Sequence, residues 1–109
     1  AKDASVLIIS LAEKFSSHNS QQMRHYMYDT GAANALLQIQ ALSAGIYSHT
    51  MGGFSIEKVK ENFSFPDSVE PLTVIALGYP GNVDAASQDF KDRDLSKRDR
   101  LPMHKIIMK

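Results

Sequence analysis

A double glycine is the first feature of this chain whose residue types suggest chemistry. It lies in the segment Thr50-Met51-Gly52-Gly53-Phe54, directly after a long apolar run. Glycine reaches backbone conformations that are closed to other residues, and it leaves no side chain between the main chain and an approaching flat ring. Backbone N–H groups in such a turn can donate to an electron-rich ring nitrogen and stabilise negative charge there. Taken alone, the same pattern is also typical of a plain turn between two helices.

A second candidate lies near the end of the chain, where Arg98 and Arg100 flank Asp99 and precede a Leu-Pro pair. The planar guanidinium group of arginine can bind phosphate oxygens through two parallel hydrogen bonds. Between Asp89 and Arg100, however, basic and acidic residues are interleaved, which is typical of a solvent-exposed helix. Two interpretations therefore stay open, a phosphate site and a solvated tail.

The composition argues against several other kinds of site. The 109 residues carry twelve basic and twelve acidic side chains, so no net positive field favours nucleic acid or an anionic membrane. The chain has no cysteine, which excludes thiolate chemistry and fits a reducing cytoplasm. Its four histidines lack the spacing of a metal site, although His49 lies beside the glycine turn. The longest apolar run is far shorter than the roughly 20 residues that a membrane span needs.

A small set of elements must position these candidates. Short apolar runs at residues 6–9 and 74–77 predict two buried strands. Residues 21–48 contain no proline and predict one long helix or two helices stacked end to end. Ser55 is expected to cap a shorter helix over Ile56–Asn62.

The remaining segments predict turns, a loop and surface-exposed chain. Phe65-Pro66 and Glu70-Pro71 are expected to bracket a loop, and the glycine and proline of residues 78–81 predict the turn that ends the second strand. Residues 84–100 are expected on the surface. Residues 106–108, which end with Met108, form a last short apolar segment.

The apolar residues of the long helix cover most of its circumference. They form two stripes at spacings of three and four residues: Ala35, Ile39, Leu42 and Ile46, and Ala33, Leu37, Ala41 and Ala44. A helix that is apolar nearly all round must be buried on all sides. A chain this short has too little remaining sequence to surround it. We infer that a second polypeptide or a further segment covers part of this helix.

In their order and spacing, these features resemble the C-terminal half of the FMN-dependent nitroreductases. The resemblance rests on the first strand, an Asp29-Thr30-Gly31 signature, the apolar helix, the glycine turn, the Ile-Ala-Leu-Gly-Tyr strand and the Arg-x-Arg tail, and it spans most of the chain. It implies an α+β fold, a partial three-layer α/β/α sandwich with a long buried helix at a dimer interface. Residues 1–109 would then be the C-terminal portion of a nitroreductase-like domain.

The resemblance also implies a function. Members of that family bind FMN at the interface of a homodimer and pass hydride from NAD(P)H through flavin N5 to a nitroaromatic, a quinone or a related acceptor. By this resemblance Thr50, Met51, Gly52 and Gly53 contact the flavin, and the two tail arginines meet its phosphate. No catalytic acid–base pair is expected, because the cofactor carries the chemistry.

The same resemblance leaves a gap. The family's N-terminal helices, with an Arg-x-Ser-x-Arg-like segment that grips FMN, have no counterpart here, and the chain starts at Ala1 rather than at methionine. It is therefore expected to be a truncated enzyme or a module that has lost the reaction. The alternatives are a non-catalytic dimerisation module and another flavin chemistry, such as reductive dehalogenation, on the same scaffold.

Overall fold

Three antiparallel strands form a single sheet, and one long helix lies across it. This computed structural model describes residues 3–107. Its elements are β1 (Val6–Glu13), α1 (Tyr26–Ser43), β2 (Tyr47–Met51), α2 (Ile56–Asn62), β3 (Val69–Gly78) and α3 (Gln88–Asp94), with 3₁₀ turns at Val83–Ala85 and Met103–Lys105. The strand order is β1-β3-β2, so β3 is central. Ile106 and Ile107 of the last apolar segment are exposed, and Met108 lies outside the described residues.

The predicted buried strand at residues 74–77 is confirmed as the centre of β3, where Ile75 is fully buried. The prediction of a loop ending at Glu70-Pro71 is wrong, because β3 already begins at Val69. Proline has no N–H to donate to a neighbouring strand. The pairing accommodates it by a bulge: Ser10 pairs with Thr73 and Leu11 with Pro71, so one residue of β3 is left without a partner in β1.

The strand predicted at residues 6–9 is confirmed, but the prediction that it is buried is wrong. β1 includes residues 6–9, yet Val6 and Leu7 are 50% and 52% exposed. Val6 and Leu7 are successive residues and so point to opposite faces of the sheet, which means that both faces are open at this end of the edge strand β1. An apolar run typical of a strand covered on both faces therefore lies partly open within the described residues.

The long helix is shorter than predicted at its start. Residues 21–25 are not helical, because the chain first reverses at Ser20, which has φ +56°, and Gln22 then pairs with Phe15. Asn19 supports this turn by accepting a hydrogen bond from the Gln21 amide at 3.1 Å. α1 begins only at Tyr26.

The helix also ends earlier than predicted, at Ser43. Gly45 has φ +74°, and its amide donates to the Leu42 carbonyl at 3.0 Å. The Ile46 amide donates to the Ala41 carbonyl at 2.9 Å. These two bonds define a Schellman motif, which stops a helix at a glycine in the left-handed region. Residues 47–51 can therefore form β2 rather than further helix.

The side of α1 that faces the sheet is polar. The Tyr26 hydroxyl donates to Glu70 Oε2 at 3.0 Å, and Asn34 Nδ2 donates to Ser10 Oγ at 2.7 Å. Desolvation, then the hydrogen bond to Glu70 and the charge of that carboxylate, raise the pKa of Tyr26. The chain thus attaches α1 to the sheet through hydrogen bonds rather than through an apolar seam.

The other side of α1 is apolar and exposed. Leu36 and Ile39 are 68% and 65% exposed, and no residue of α1 is buried within this chain. The radius of gyration is 17.5 Å, whereas a compact domain of this length would have about 13 Å. The expected burial of this helix is therefore not provided by residues 3–107 themselves.

Candidate functional site

The candidate turn lies at the end of β2, on the edge of the sheet. Thr50 and Met51 are the last residues of that strand and pair with Ile75 and Val74 of β3. The interpretation of Thr50 and Met51 as part of a turn after a helix is therefore wrong, since they are strand residues that lead into the two glycines. The turn starts only at Gly52, whose carbonyl accepts a hydrogen bond from the Phe54 amide at 3.1 Å.

The structure tests the two reasons for a double glycine, which are an unusual backbone conformation and close access of a flat ring to the main chain. Among the described glycines only Gly45 has a positive φ, so the first reason, an unusual backbone conformation, does not hold at Gly52 or Gly53. The second reason, access for a flat ring, stands, because a Cβ at either position would meet no atom of residues 3–107 beyond the two adjacent residues within 4 Å. The Gly53 amide also donates to no acceptor within residues 3–107. A flat ring that carries an acceptor atom fits this open main chain.

Gln38 of α1 holds the strand that leads into the turn. Its Oε1 accepts hydrogen bonds from Ser48 Oγ at 3.2 Å and from Thr50 Oγ1 at 2.9 Å. Gln38 is not among the residues predicted from the sequence to belong to the site. A signal was present, because Asn34 and Gln38 put two amides one helical turn apart between the apolar stripes of the helix, and such residues are expected to find partners.

On the other side of the turn, α2 begins as predicted. Ser55 Oγ accepts a hydrogen bond from the Lys58 amide at 3.2 Å, which confirms it as the N-cap of Ile56–Asn62. The same hydroxyl donates to Glu57 Oε2 at 3.0 Å. A backbone hydrogen bond, followed by this hydroxyl and the charge of Lys60, lowers the pKa of Glu57. The turn is thus bounded by two elements that the chain itself fixes.

Arg98 and Arg100 lie in an exposed, irregular segment after α3. Arg100 donates from its amide to Asp99 Oδ1 and from Nη1 to the Asp99 carbonyl, both at 2.8 Å. No hydrogen bond joins either arginine to the sheet, to α1 or to the glycine turn in the part of the chain that the structure describes. This chain does not by itself bring the two candidate regions together.

His49 lies on β2, opposite Ala76 of β3, and is exposed. Its neighbours in the strand, Ser48 and Thr50, point to the α1 face, so His49 points to the opposite face of the sheet. It lines a shallow cleft of about 280 Å³ together with Tyr47 and Tyr79. The described residues contain no group of three or more acidic or histidine side chains that could hold a metal ion. Over the same residues, no helix is both long and apolar enough to cross a bilayer.

The chain is similar in sequence to a protein of Mycolicibacterium smegmatis described as an uncharacterised 15.4 kDa protein in ask 5'region. The two are 36% identical over 106 residues, which are 97% of this chain and 70% of the relative. The chain belongs to the same family as that protein, whose description gives no activity. No family model matches the chain.

Several solved structures share the fold. An oxidoreductase containing FMN superimposes with a TM-score of 0.86 at 24% identity, over 98% of this chain and 55% of its own. A nitroreductase family protein from Clostridium difficile 630 gives 0.68 at 22% identity, over 97% and 59%. One from Clostridium novyi NT gives 0.61 at 22% identity, over 84% and 46%.

These likenesses establish the architecture. The chain has the nitroreductase fold, which confirms the predicted α+β class and its partial form. It spans about half the length of the solved structures that it matches. At such identities the likeness extends to the fold and not to the activity.

Proposed function

We propose that this protein is an FMN-dependent oxidoreductase of the nitroreductase type, of which residues 1–109 form the C-terminal portion of the catalytic domain. The observation that carries the proposal is the main chain at Gly52 and Gly53. Neither their backbone conformation nor their packing within residues 3–107 requires glycine, yet both leave the backbone accessible to a flat ligand. A structural match to an FMN-containing oxidoreductase supports the same cofactor.

In this proposal the residues divide between ring and phosphate. Thr50, Met51, Gly52 and Gly53 would line the ring, and Gly53 would offer its amide N–H to it. Bound FMN would accept hydride from NAD(P)H at N5 and deliver it to a nitroaromatic, a quinone or a related acceptor. The chain's own part is to bind, orient and exclude water, which is why no acid–base pair is required.

The phosphate would be held by Arg98 and Arg100. Hydrogen bonds to charged groups are worth about 1.5–3 kcal/mol each, whereas micromolar binding needs about 8 kcal/mol. Two arginines on an irregular segment are therefore not enough, and further contacts must come from the ring, from a partner or from additional chain. The solved structures that match the fold are about twice as long as this chain, which is consistent with additional contacts.

The proposed assembly is a homodimer built on the apolar side of α1. The chain exposes 9202 Å², whereas a compact protein of 12.1 kDa would expose about 6,000 Å². The excess of about 3,000 Å² is of the order that obligate dimers bury, and large exposed apolar patches mark interaction surfaces. We also propose a cytoplasmic location, which the absence of cysteine fits.

A second function is favoured by one specific observation. Because Arg98 and Arg100 form no hydrogen bond with the glycine turn or the sheet within the described residues, the chain could serve only as a dimerisation module without flavin. The apolar side of α1 would have the same role in both cases. The two functions differ in whether the protein carries FMN.

The test is the cofactor content of the purified protein. We expect the visible absorbance of oxidised flavin, release of FMN on denaturation, and bleaching of the absorbance by NADH or NADPH without oxygen. A stable dimer that contains no flavin and takes up none from solution would instead establish the dimerisation module. Flavin that is bound but not reduced by either nucleotide would retain the cofactor and rule out the NAD(P)H reaction.

A further inference from the structure

We infer that Gln38 is a positioning residue of the cofactor site, one that holds the end of β2 and hence the turn that follows it. Gln38 would act through Ser48 and Thr50 rather than by touching the ligand. The inference rests on the proposed function, because it concerns the same site. It adds a residue that belongs to the helix and not to the turn.

Every polar atom of the Gln38 side chain is used. Oε1 accepts from both the Ser48 and the Thr50 hydroxyl, and Nε2 donates to the Asn34 carbonyl at 3.1 Å. A carbonyl can only accept, so the contact with Asn34 determines which end of the amide is nitrogen. Both hydroxyls must then donate their protons to Gln38.

The strand that Gln38 holds has little other support. β2 has five residues, lies at the edge of the sheet and pairs only with β3 among the described strands. Its ladder ends at the pair of Met51 and Val74, directly before Gly52. The end of a short edge strand is where local opening costs least. The hydrogen bonds from Ser48 and Thr50 to Gln38, here called the Gln38 clamp, therefore act where the strand and the turn would otherwise open most easily.

Gln38 also links the turn to the opposite edge of the sheet. The carbonyl that it contacts belongs to Asn34, whose side chain bonds Ser10 of β1 at 2.7 Å. Ser10 is 6% exposed, so this anchor is shielded from water. A continuous series of hydrogen bonds thus runs from β1 through α1 to the end of β2. The turn is positioned relative to both edges of the sheet and not only to its neighbour β3.

A consequence for recognition follows at Thr50. A threonine hydroxyl has a single proton, and here that proton is given to Gln38. The oxygen can then only accept a further hydrogen bond. Any ligand group that reaches Thr50 Oγ1 must therefore be a donor, such as an N–H or an O–H.

The test compares three variants of the full protein. Gln38→Met keeps the length of the side chain and removes all three hydrogen bonds, whereas Gln38→Glu keeps an acceptor for Ser48 and Thr50 and loses only the bond to the Asn34 carbonyl. Gln40→Met is the matched control, because Gln40 lies on the same helix and its amide donates to nearby Ser43. The measurements are hydrogen exchange at the amides of residues 48–54 and the dissociation constant for FMN.

The loss of the two hydrogen bonds to β2, at about 0.5–1.5 kcal/mol each, corresponds to roughly 5- to 150-fold, and tenfold lies in the lower part of that range. We therefore expect Gln38→Met to speed exchange at residues 50–54 about tenfold while β1, which does not pair with β2, is unchanged, and to weaken FMN binding by a similar factor. Gln38→Glu should recover most of both losses, and Gln40→Met should change neither.

Three results would overturn the inference. Unchanged exchange at the turn in Gln38→Met would show that Gln38 does not hold it. Equal acceleration in β1 would show a general loss of stability instead of positioning. Faster exchange at the turn with unchanged FMN affinity would show that the position of the turn does not matter to the cofactor. A wild-type protein whose titration shows no FMN binding overturns the proposed function and the cofactor role of Gln38 together, whereas the exchange data still show whether Gln38 holds the turn.

Discussion

The two regions proposed to hold FMN differ in what holds them in place. The turn after β2 is fixed by its own chain, through pairing with β3, the Gln38 clamp and the capped start of α2. The segment with Arg98 and Arg100 makes only local contacts, between Arg100 and its neighbour Asp99. One region is built by the fold and the other is not.

This difference shows how the site would be assembled. Ordering a flexible residue costs about 1–2 kcal/mol of backbone entropy, so an arginine on an irregular segment is expensive to use. A ring site on a fixed turn carries no such cost. We therefore expect the turn to set the position of the ligand, and the assembly of two chains to order the tail. The exposed Leu95 and Leu101 on that tail are available for such contacts.

The largest effect is expected from Ile39→Asp, which tests whether assembly is needed at all. Ile39 lies on the apolar side of α1, and an unpaired charge buried in an interface costs several kcal/mol. The dimer should dissociate and FMN binding should be lost, because the tail is no longer ordered. Sedimentation and flavin content measure both effects. Ile39→Met is the control and should keep both properties. A variant that stays dimeric with full flavin would place the interface elsewhere.

A smaller but still large effect is expected from Gly53→Val, which tests the fixed region alone. A Cβ at Gly53 would meet no described atom beyond the two adjacent residues within 4 Å, and the residue has no positive φ, so the fold should survive. It would occupy the space proposed for the ring, and we expect FMN affinity to fall at least about 100-fold. Circular dichroism and an FMN titration measure the two outcomes. Gly81→Val is the control, since Gly81 has the same open surroundings in another turn. Wild-type affinity in Gly53→Val would remove the turn from the site.

Arg98→Ala and Arg100→Ala test the other region. Each lost charge-assisted contact is worth about 1.5–3 kcal/mol, so FMN affinity should fall about tenfold to a hundredfold per arginine. Riboflavin has the same ring without the phosphate, and its affinity should stay the same in both variants. Arg93→Ala, on the exposed helix α3, is the control. Equal losses for FMN and riboflavin would contradict a phosphate role and show that the tail acts on the ring.

The sequence predicted local features well where a single residue decides the outcome. Ser55 begins α2 at the predicted place, and the glycine after Leu77 ends β3. It failed where tertiary pairing competes with local pattern. Pro71 was assigned to a loop because the bulge that accepts it depends on β1. The predicted helix continues to residue 48 because the apolar spacing runs on to Ile46, and the sequence alone does not show that Gly45 adopts the positive φ that stops the helix.

In the candidate site, too, features set by a single residue were predicted and features set by tertiary pairing were not. The glycines were found because their type alone carries information. The Gln38 clamp was not found, because it depends on β2 being a strand whose hydroxyls face α1. An apolar pattern around α1 predicted burial on all sides, yet the side facing the sheet is attached by polar contacts. Periodicity identifies which residues avoid water and not which neighbour covers them.

The smallest effect is expected from Ser55→Ala, which loosens the far side of the turn. Loss of an N-cap costs about 1 kcal/mol, so the free energy of unfolding should fall by that amount while FMN affinity changes less than about threefold. Ser87→Ala is the control, because Ser87 caps α3 without a side-chain hydrogen bond.

The same variant should also change the response to acid. The pKa of Glu57 is lowered from 4.5, in part by the Ser55 hydroxyl, so the folded state favours the carboxylate. That stabilisation is present above pH 4.5 and is lost as the pH falls through the lowered value. The stability gap between wild type and Ser55→Ala should therefore narrow below pH 4.5. Urea unfolding at several pH values measures the gap. A gap that stays constant would show that the hydroxyl acts only on the Lys58 amide. In the FMN titration of Ser55→Ala, a loss of affinity well above about threefold would show that the turn depends on α2 as much as on β2.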